Sequence, residues 1–252
     1  MHKRKNIAII GSGISGISAA YFLHKHHNVT IYENEKYFGG HTRTITLNEN
    51  EKLIDIDTGF IVYNKKTYPN LVKFFEDLDI ESEDSDMSLS IVASDIGLEY
   101  ASKNLLSQIN NFSHLKYIKI IKDIFVFYQT HKRKNLNSNY RNLTIEEYFK
   151  KHQYSNEFIN FHIYPIASSI WSTDIPHIKN FPINEFIEFF ISNDLFNLFF
   201  RPKWKTLKNK GKSYVQKVLN LKGIKSFNNF HIDTIIRKEK SIFIKSHDYY
   251  KK

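Results

Sequence analysis

Glycines and one carboxylate near the start of the chain have the spacing for dinucleotide chemistry. Gly11-Ser12-Gly13-Ile14-Ser15-Gly16 places glycine at the first, third and sixth positions, Glu33 follows, and then comes Gly39-Gly40-His41-Thr42. Gly11 would allow a tight turn, Gly13 a close approach of backbone to a pyrophosphate, and Gly16 tight packing of a helix on a strand. The free N–H groups at that helix start would present partial positive charge to the pyrophosphate, with Ser12 and Ser15 in the same loop and first turn. Glu33 is placed to accept hydrogen bonds from ribose hydroxyls and to repel a 2′-phosphate.

Those residues need particular elements around them. Asn6–Ile10 reads as a short buried parallel strand. Ile14, Ile17 and Tyr21 recur at helical spacing with Ala20 beside them, and Val29–Glu33 supplies a second strand. Strand, turn, helix and strand within about 30 residues is the context the glycine pattern requires. The pair Gly39-Gly40 offers a second close backbone approach to a diphosphate where a pyridine-nucleotide domain would continue with helix and strand. It precedes an expected hairpin, strands Thr42–Leu47 and Lys52–Asp57 about a turn at Asn48–Glu51. Gly59 follows, suited to backbone passing a flat ligand. These features favour FAD over NAD.

The stretches Gly11–Gly16, Glu33 and Gly39-Gly40 resemble the FAD-binding start of the flavin-containing amine oxidase superfamily. The closer likeness is to the bacterial NAD/FAD-binding amine-oxidase-like proteins. It is carried by Asp57-Thr58-Gly59-Phe60-Ile61-Val62-Tyr63-Asn64, Thr67-Tyr68-Pro69-Asn70, Ser85-Asp86-Met87-Ser88, Gly97-Leu98-Glu99-Tyr100, Ala167–Thr173 and Arg201-Pro202-Lys203-Trp204. The resemblance implies an α/β fold: a Rossmann-like FAD-binding domain with an inserted, mainly helical substrate domain, C-terminally truncated. The implied divisions are 1–68, 69–222 and 223–252. It also implies FAD as cofactor and hydride transfer from an apolar or amine substrate, with no catalytic residue assigned. The alternative is a non-catalytic or split-gene FAD-binding fragment that needs a complementary C-terminal subunit. Gly11, Ser12, Gly13, Ser15, Gly16, Glu33, Gly39, Gly40, His41, Thr42 and Gly59 are the candidate cofactor residues, and Phe60 and Tyr63 are candidates for lining the flavin face. Tyr37 and His41 stand where many relatives carry arginine, Lys210 interrupts a usual glycine pair, and Asp233 stands at a frequent valine position.

Composition bounds the rest. The 252 residues include no Cys, which removes disulfides, thiolate metal sites and cysteine nucleophiles. The net charge of +10 divides unevenly: residues 201–252 hold 15 Lys and Arg against 3 Asp and Glu, and the first 200 are nearly balanced. Nucleic acid is therefore not expected as a partner, although a basic tail allows peripheral contact with anionic lipid. No apolar run is long enough to span a bilayer. Lys3-Arg4-Lys5 before an apolar stretch imitates a signal peptide, but the glycines interrupt it, and a cytoplasmic N-terminus is expected.

Residues 70–150 read as helices joined by polar turns, with Leu115, Ile118, Ile121, Phe125 and Tyr128 as one apolar stripe. Thr144 with Glu147 is a capping-box pattern. Glu76–Asp86, with seven acidic residues, reads as a solvated face or loop. Phe158–Trp204 contains 12 aromatics, whose periodicity favours core, while the resemblance makes them candidate lining for an apolar substrate. His24, His26 and His27 suit a helix C-terminus and lack the carboxylate of a metal site. Gly223–Tyr250 alternates as two strands with a turn near Lys238–Lys240.

Overall fold

The structure, a computed structural model, describes residues 3–94, 97–101, 115–132, 140, 142–197 and 202–246. In chain order the first elements are β1 (Asn6–Ile10), α1 (Ile14–Leu23), β2 (Asn28–Tyr32), β3 (Thr44–Glu49), β4 (Lys52–Asp57), β5 (Tyr63–Asn64), α2 (Pro69–Asp77), β6 (Ser82–Ser85), β7 (Ser90–Ala93) and β8 (Leu98–Ala101). Helices α3 (Leu115–His131), α4 (Ile145–Lys151) and α5 (Asn156–Phe158) follow. A π-helical segment (Ile159–Ile163) leads to α6 (Tyr164–Trp171), α7 (Ile175–Lys179) and α8 (Ile183–Ser192). The last elements are β9 (Trp204–Leu207), α9 (Lys212–Leu219), β10 (Ile224–Phe227), β11 (Thr234–Arg237) and β12 (Ile242–Lys245). Arg201 of the sequence pattern lies outside the described residues.

The chain forms two compact units, Met1–Ser85 with Lys203–Lys252, and Asp86–Pro202. The sequence placed the divisions at 68/69 and 222/223. The difference lies in α2, β6, β9 and α9. Phe74 and Phe75 of α2 pack with Tyr21, Tyr63 and Tyr214 in the core of the first unit, and β9 pairs with β5 and β6.

The first unit is α/β and Rossmann-like. Its parallel sheet has the order β1-β2-β10. Ile17, Ala20, Val29, Ile31, Val215 and Val218 are buried where α1, α9 and the sheet share one core. The expectation of a buried β1 is not met: Ile7 and Ile9 are half-buried, Ala8 is exposed and Ile10 is 53% exposed, with Phe227 of β10 at 39%. Gly223–Tyr250 also departs from a plain hairpin. Its first strand, β10, joins the parallel sheet, and the antiparallel ribbon is β11–β12.

The β3–β4 hairpin forms with a tighter turn than expected. Asn50 and Glu51 both have positive φ, 52° and 65°, and Glu49 pairs with Lys52. This is the mirror-image two-residue turn whose twist matches paired strands. In the acidic stretch, Ser82–Ser85 is not loop but strand β6, where Lys205 meets Asp84 across the pair at 2.7 Å and Lys208 meets Glu81 at 2.9 Å.

The second unit is mainly helical, with the antiparallel pair β7–β8; those strands and β6 break the expected run of helices after residue 70. The Thr144 capping box is present in both directions. On α3 the buried side chains are Tyr117, Ile120, Ile124, Phe127, Tyr128 and His131. Of the expected stripe only Tyr128 is buried, and Leu115 is 75% exposed. Both faces of this helix are apolar, so spacing alone selected the wrong one.

Phe158, Tyr164, Phe186, Phe190 and Phe196 pack on one another and on Phe127, which makes them core. Two buried histidines join this core. The Tyr100 hydroxyl donates to the Phe161 carbonyl at 2.6 Å and lies 3.0 Å from His162 Nδ1, while Tyr128 Oη lies 3.2 Å from Nε2. His131 Nε2 meets Tyr148 Oη at 2.8 Å.

Candidate functional site

At the carboxyl ends of β1 and β2, the glycine loop, Glu33 and the glycine pair converge. Gly11 has φ +90°, and its N–H donates to the Tyr32 carbonyl at 2.8 Å, closing the turn between the strands. A Cβ at Gly16 would lie 2.0 Å from the Gly11 carbonyl oxygen, so glycine is what lets α1 start this close to β1. A Cβ at Gly13 would meet nothing within 4 Å. The first N–H to bond back along α1 is that of Ile17, to Gly13 at 2.9 Å. The helix start therefore aims its amides outward into open space, with exposed Ser15 in the first turn.

Ser12 links the parts. It is fully buried; its N–H donates to Glu33 Oε2 at 2.9 Å, its hydroxyl donates to the same oxygen, and it accepts from the Gly39 N–H at 2.9 Å. Sequence reasoning gave Ser12 to the ligand, whereas the structure uses it to hold Glu33 and the glycine pair together. Glu33 Oε1 accepts from the Glu35 N–H at 3.0 Å. Burial pushes the Glu33 carboxyl up, but the hydrogen bonds from Glu35, Ser12 and Asn34 outweigh it and hold the group below the usual carboxylate range. Glu33 is thus a fixed anion at the end of β2.

Gly39 and Gly40 both have positive φ, and a Cβ at Gly40 would come within 3.0 Å of Gly13 Cα. The second glycine turn therefore lies against the first. Beyond it the expected residues divide. His41 is exposed, whereas Thr42 is buried with Oγ1 2.7 Å from the Tyr214 hydroxyl. Gly59 packs under the His41 carbonyl, where a Cβ would lie 2.0 Å away, so the loop's own backbone accounts for that glycine. Tyr63 is 3% exposed and packs on Phe75, with Phe60 against the same cluster. Tyr63 is thus core, while Phe60 is half-buried against it.

The sequence did not point to Tyr214, and Asp57 stood in it only as a strand end within a family-like stretch. Burial pushes the Tyr214 hydroxyl up, so it remains a neutral partner for Thr42. Asp57 accepts from Gly211 N–H at 3.0 and 3.1 Å and from the Thr44 hydroxyl at 2.6 Å, capping α9. Arg43 sits 4.9 Å over the Tyr37 ring, which places a guanidinium beside one position where relatives carry arginine. Among the described residues no three His, Asp or Glu side chains converge as metal ligands, and no described helix is long and apolar enough to cross a membrane.

Residues 9–78 match the family model for an NAD(P)-binding Rossmann-like domain. No curated protein matches the chain. Among solved structures, a protein from Exiguobacterium sp. 255-15 described as a candidate protoporphyrinogen oxidase is 16% identical with a TM-score of 0.62, over 98% of this chain and 57% of its own. Wild-type putrescine oxidase bound to putrescine is 14% identical with a TM-score of 0.64, over 97% and 55%. A CLA-producing fatty acid isomerase from P. acnes is 16% identical with a TM-score of 0.57, over 97% and 56%. The chain thus spans little more than half the length of the structures it matches. Residues 9–78 are thus similar to an NAD(P)-binding Rossmann-like domain, and the chain shares the fold of these solved structures over their matched part.

Proposed function

We propose that the chain binds FAD as part of an oxidoreductase that removes hydride from a C–N or C–C bond of an amine or apolar substrate. The observation that carries this reading is the closure of Gly40 on Gly13, which sets two glycine turns around the amides of one helix. A dinucleotide fits the residues present. The space at Gly13 is open, the first amides of α1 would be offered to it, and the Glu33 carboxylate would meet a ribose hydroxyl while disfavouring a 2′-phosphate. His41 and Ser15 are exposed and could reach a ligand, whereas Ser12, Thr42 and Gly59 are engaged by Glu33, Tyr214 and the His41 carbonyl. Bound FAD would supply the electron sink; this chain orients the adenosine and diphosphate end. Substrates named for the matched structures, a diamine and a fatty acid, support the two substrate classes without choosing between them.

A second reading is a nucleotide-binding portion that acts only with further polypeptide, such as a complementary subunit. It is favoured by the partial match and by the uncovered face of the parallel sheet at Ala8, Ile10 and Phe227, since parallel sheets ordinarily have both faces covered. The visible absorption spectrum of the purified chain, before and after FAD, tests the first reading. Flavin bands that stay with the protein, and that weaken at least tenfold in affinity for Glu33→Ala, are expected. Absence of any FAD uptake would reject cofactor binding by this chain alone and leave the second reading.

A further inference from the structure

Two features singled out in the sequence play no part in the glycine site: Lys3-Arg4-Lys5, and the His24–His27 stretch. The fold brings both to the opposite end of the parallel sheet, where β1, β2 and β10 begin. Arg4 Nη2 donates to the Lys25 carbonyl at 3.2 Å, and Lys5 N–H donates to His27 Nδ1 at 3.3 Å. His24 Nδ1 donates to the Lys222 carbonyl at 3.2 Å, and Gly223 accepts from Val29 N–H at 3.0 Å. Lys3, Arg4, Lys5, Lys25, Lys222 and Lys225 are all exposed here.

Neither residues 1–32 nor residues 212–232 contain a single Asp or Glu. A carboxylate beside α1, Asp77, faces the Tyr21 hydroxyl and is paired with Lys73 at 3.3 Å, and Glu33 lies at the far end of β2. Lys217 is engaged by the Leu78 and Asp79 carbonyls. Among the described residues none of the six exposed cations has a carboxylate partner, and Lys25 lies 5.7 Å over the Tyr21 ring. Beside them Phe22, one turn before Lys25, is 64% exposed.

We propose that this end of the sheet docks on an anionic lipid surface, with the cations against headgroups and Phe22 at the acyl boundary. Clustered lysines and arginines are drawn to anionic leaflets, and an exposed aromatic beside them favours a bilayer over a nucleic acid. The geometry leaves the candidate cofactor site free, because parallel strands put Gly11 and Glu33 at the far ends of β1 and β2. This inference is independent of the flavin reading.

The test is co-sedimentation of the full chain with vesicles of phosphatidylcholine alone and with about 30% phosphatidylserine, at low and at high salt. Binding is expected only to the anionic vesicles, falling steeply with salt. Replacing Lys3, Arg4 and Lys5 by Gln should weaken it roughly a hundredfold, at about fivefold per cation near such a surface. Phe22→Ser should weaken it about tenfold. Lys122→Gln, Lys238→Gln and Lys240→Gln together change the net charge equally and should leave it within about twofold, with circular dichroism confirming that each variant is folded. Equal loss from both triple variants would overturn the proposal, as would abolition by millimolar soluble glycerophosphoserine, which would indicate a phosphate ligand rather than a surface. Retention on short duplex DNA without vesicle binding would overturn it in favour of nucleic acid.

Discussion

Acidification should loosen the helical unit through His131. This side chain is 6% exposed, bonds Tyr148 through Nε2, and is ringed by Phe127 and Phe196. Burial, with a smaller contribution from neighbouring His152, pushes its pKa down to about 4. A free imidazole titrates near 6.5, so the unfolded chain takes up a proton that the folded chain refuses. The stability present above pH 6.5 is lost as pH falls towards 4, reaching about 3 kcal/mol at the acid limit and about 2 kcal/mol at pH 5. The assay is urea unfolding at pH 7 and pH 5 in a Trp204→Phe background, which leaves Trp171 of the helical unit as reporter. His131→Gln keeps a polar partner for Tyr148 but cannot titrate, so its loss between the two pH values should be smaller by about 2 kcal/mol. If both chains lose the same amount, burial of a neutral His131 is not what couples this unit to pH.

Two glycines of the same loop should respond oppositely. Gly16→Ala forces a methyl group onto the Gly11 carbonyl and should cost about 3 kcal/mol, seen as a lower Tm, whereas Gly13→Ala enters open space at φ −61° and should cost under about 1 kcal/mol while reducing FAD uptake. A Gly13→Ala chain that still takes up FAD normally would count against close approach of a ligand there. Asp57→Ala removes the acceptor for Gly211 N–H and for the Thr44 hydroxyl and should cost about 2 kcal/mol in urea, with Asp57→Asn recovering part of it.

The strand–loop–helix start was legible because each of its determinants is local: of Gly11, Gly13 and Gly16 only the last is crowded, and their spacing is set within a few residues. Glu33 was legible for the same reason, through the length of one helix and one strand. What the spacing could not give was occupancy of hydrogen bonds. Ser12 and Thr42 carry hydroxyls that suit a phosphate, yet these are taken by Glu33 and Tyr214, and the Thr42 partner lies 172 residues away. On α3 the pattern failed for another reason: Leu115, Ile118 and Phe125 are as apolar as the buried set, so only the position of β8, α5 and α8 decides which face is core.

The pairing of β10 with β2 also orders the birth of this protein. The helical unit is one uninterrupted stretch, whereas the sheet of the first unit joins residues near 30 to residues near 225, and α9 waits for Asp57 across 154 positions. During synthesis the N-terminal strands must persist without their partner strand while the whole helical insert emerges. The insert can collapse first, on its own contacts. Ribosome-bound chains whose helical insert has emerged but whose β10 has not would then hold a packed helical core tethered to an unfinished first unit, a state open to proteases and chaperones.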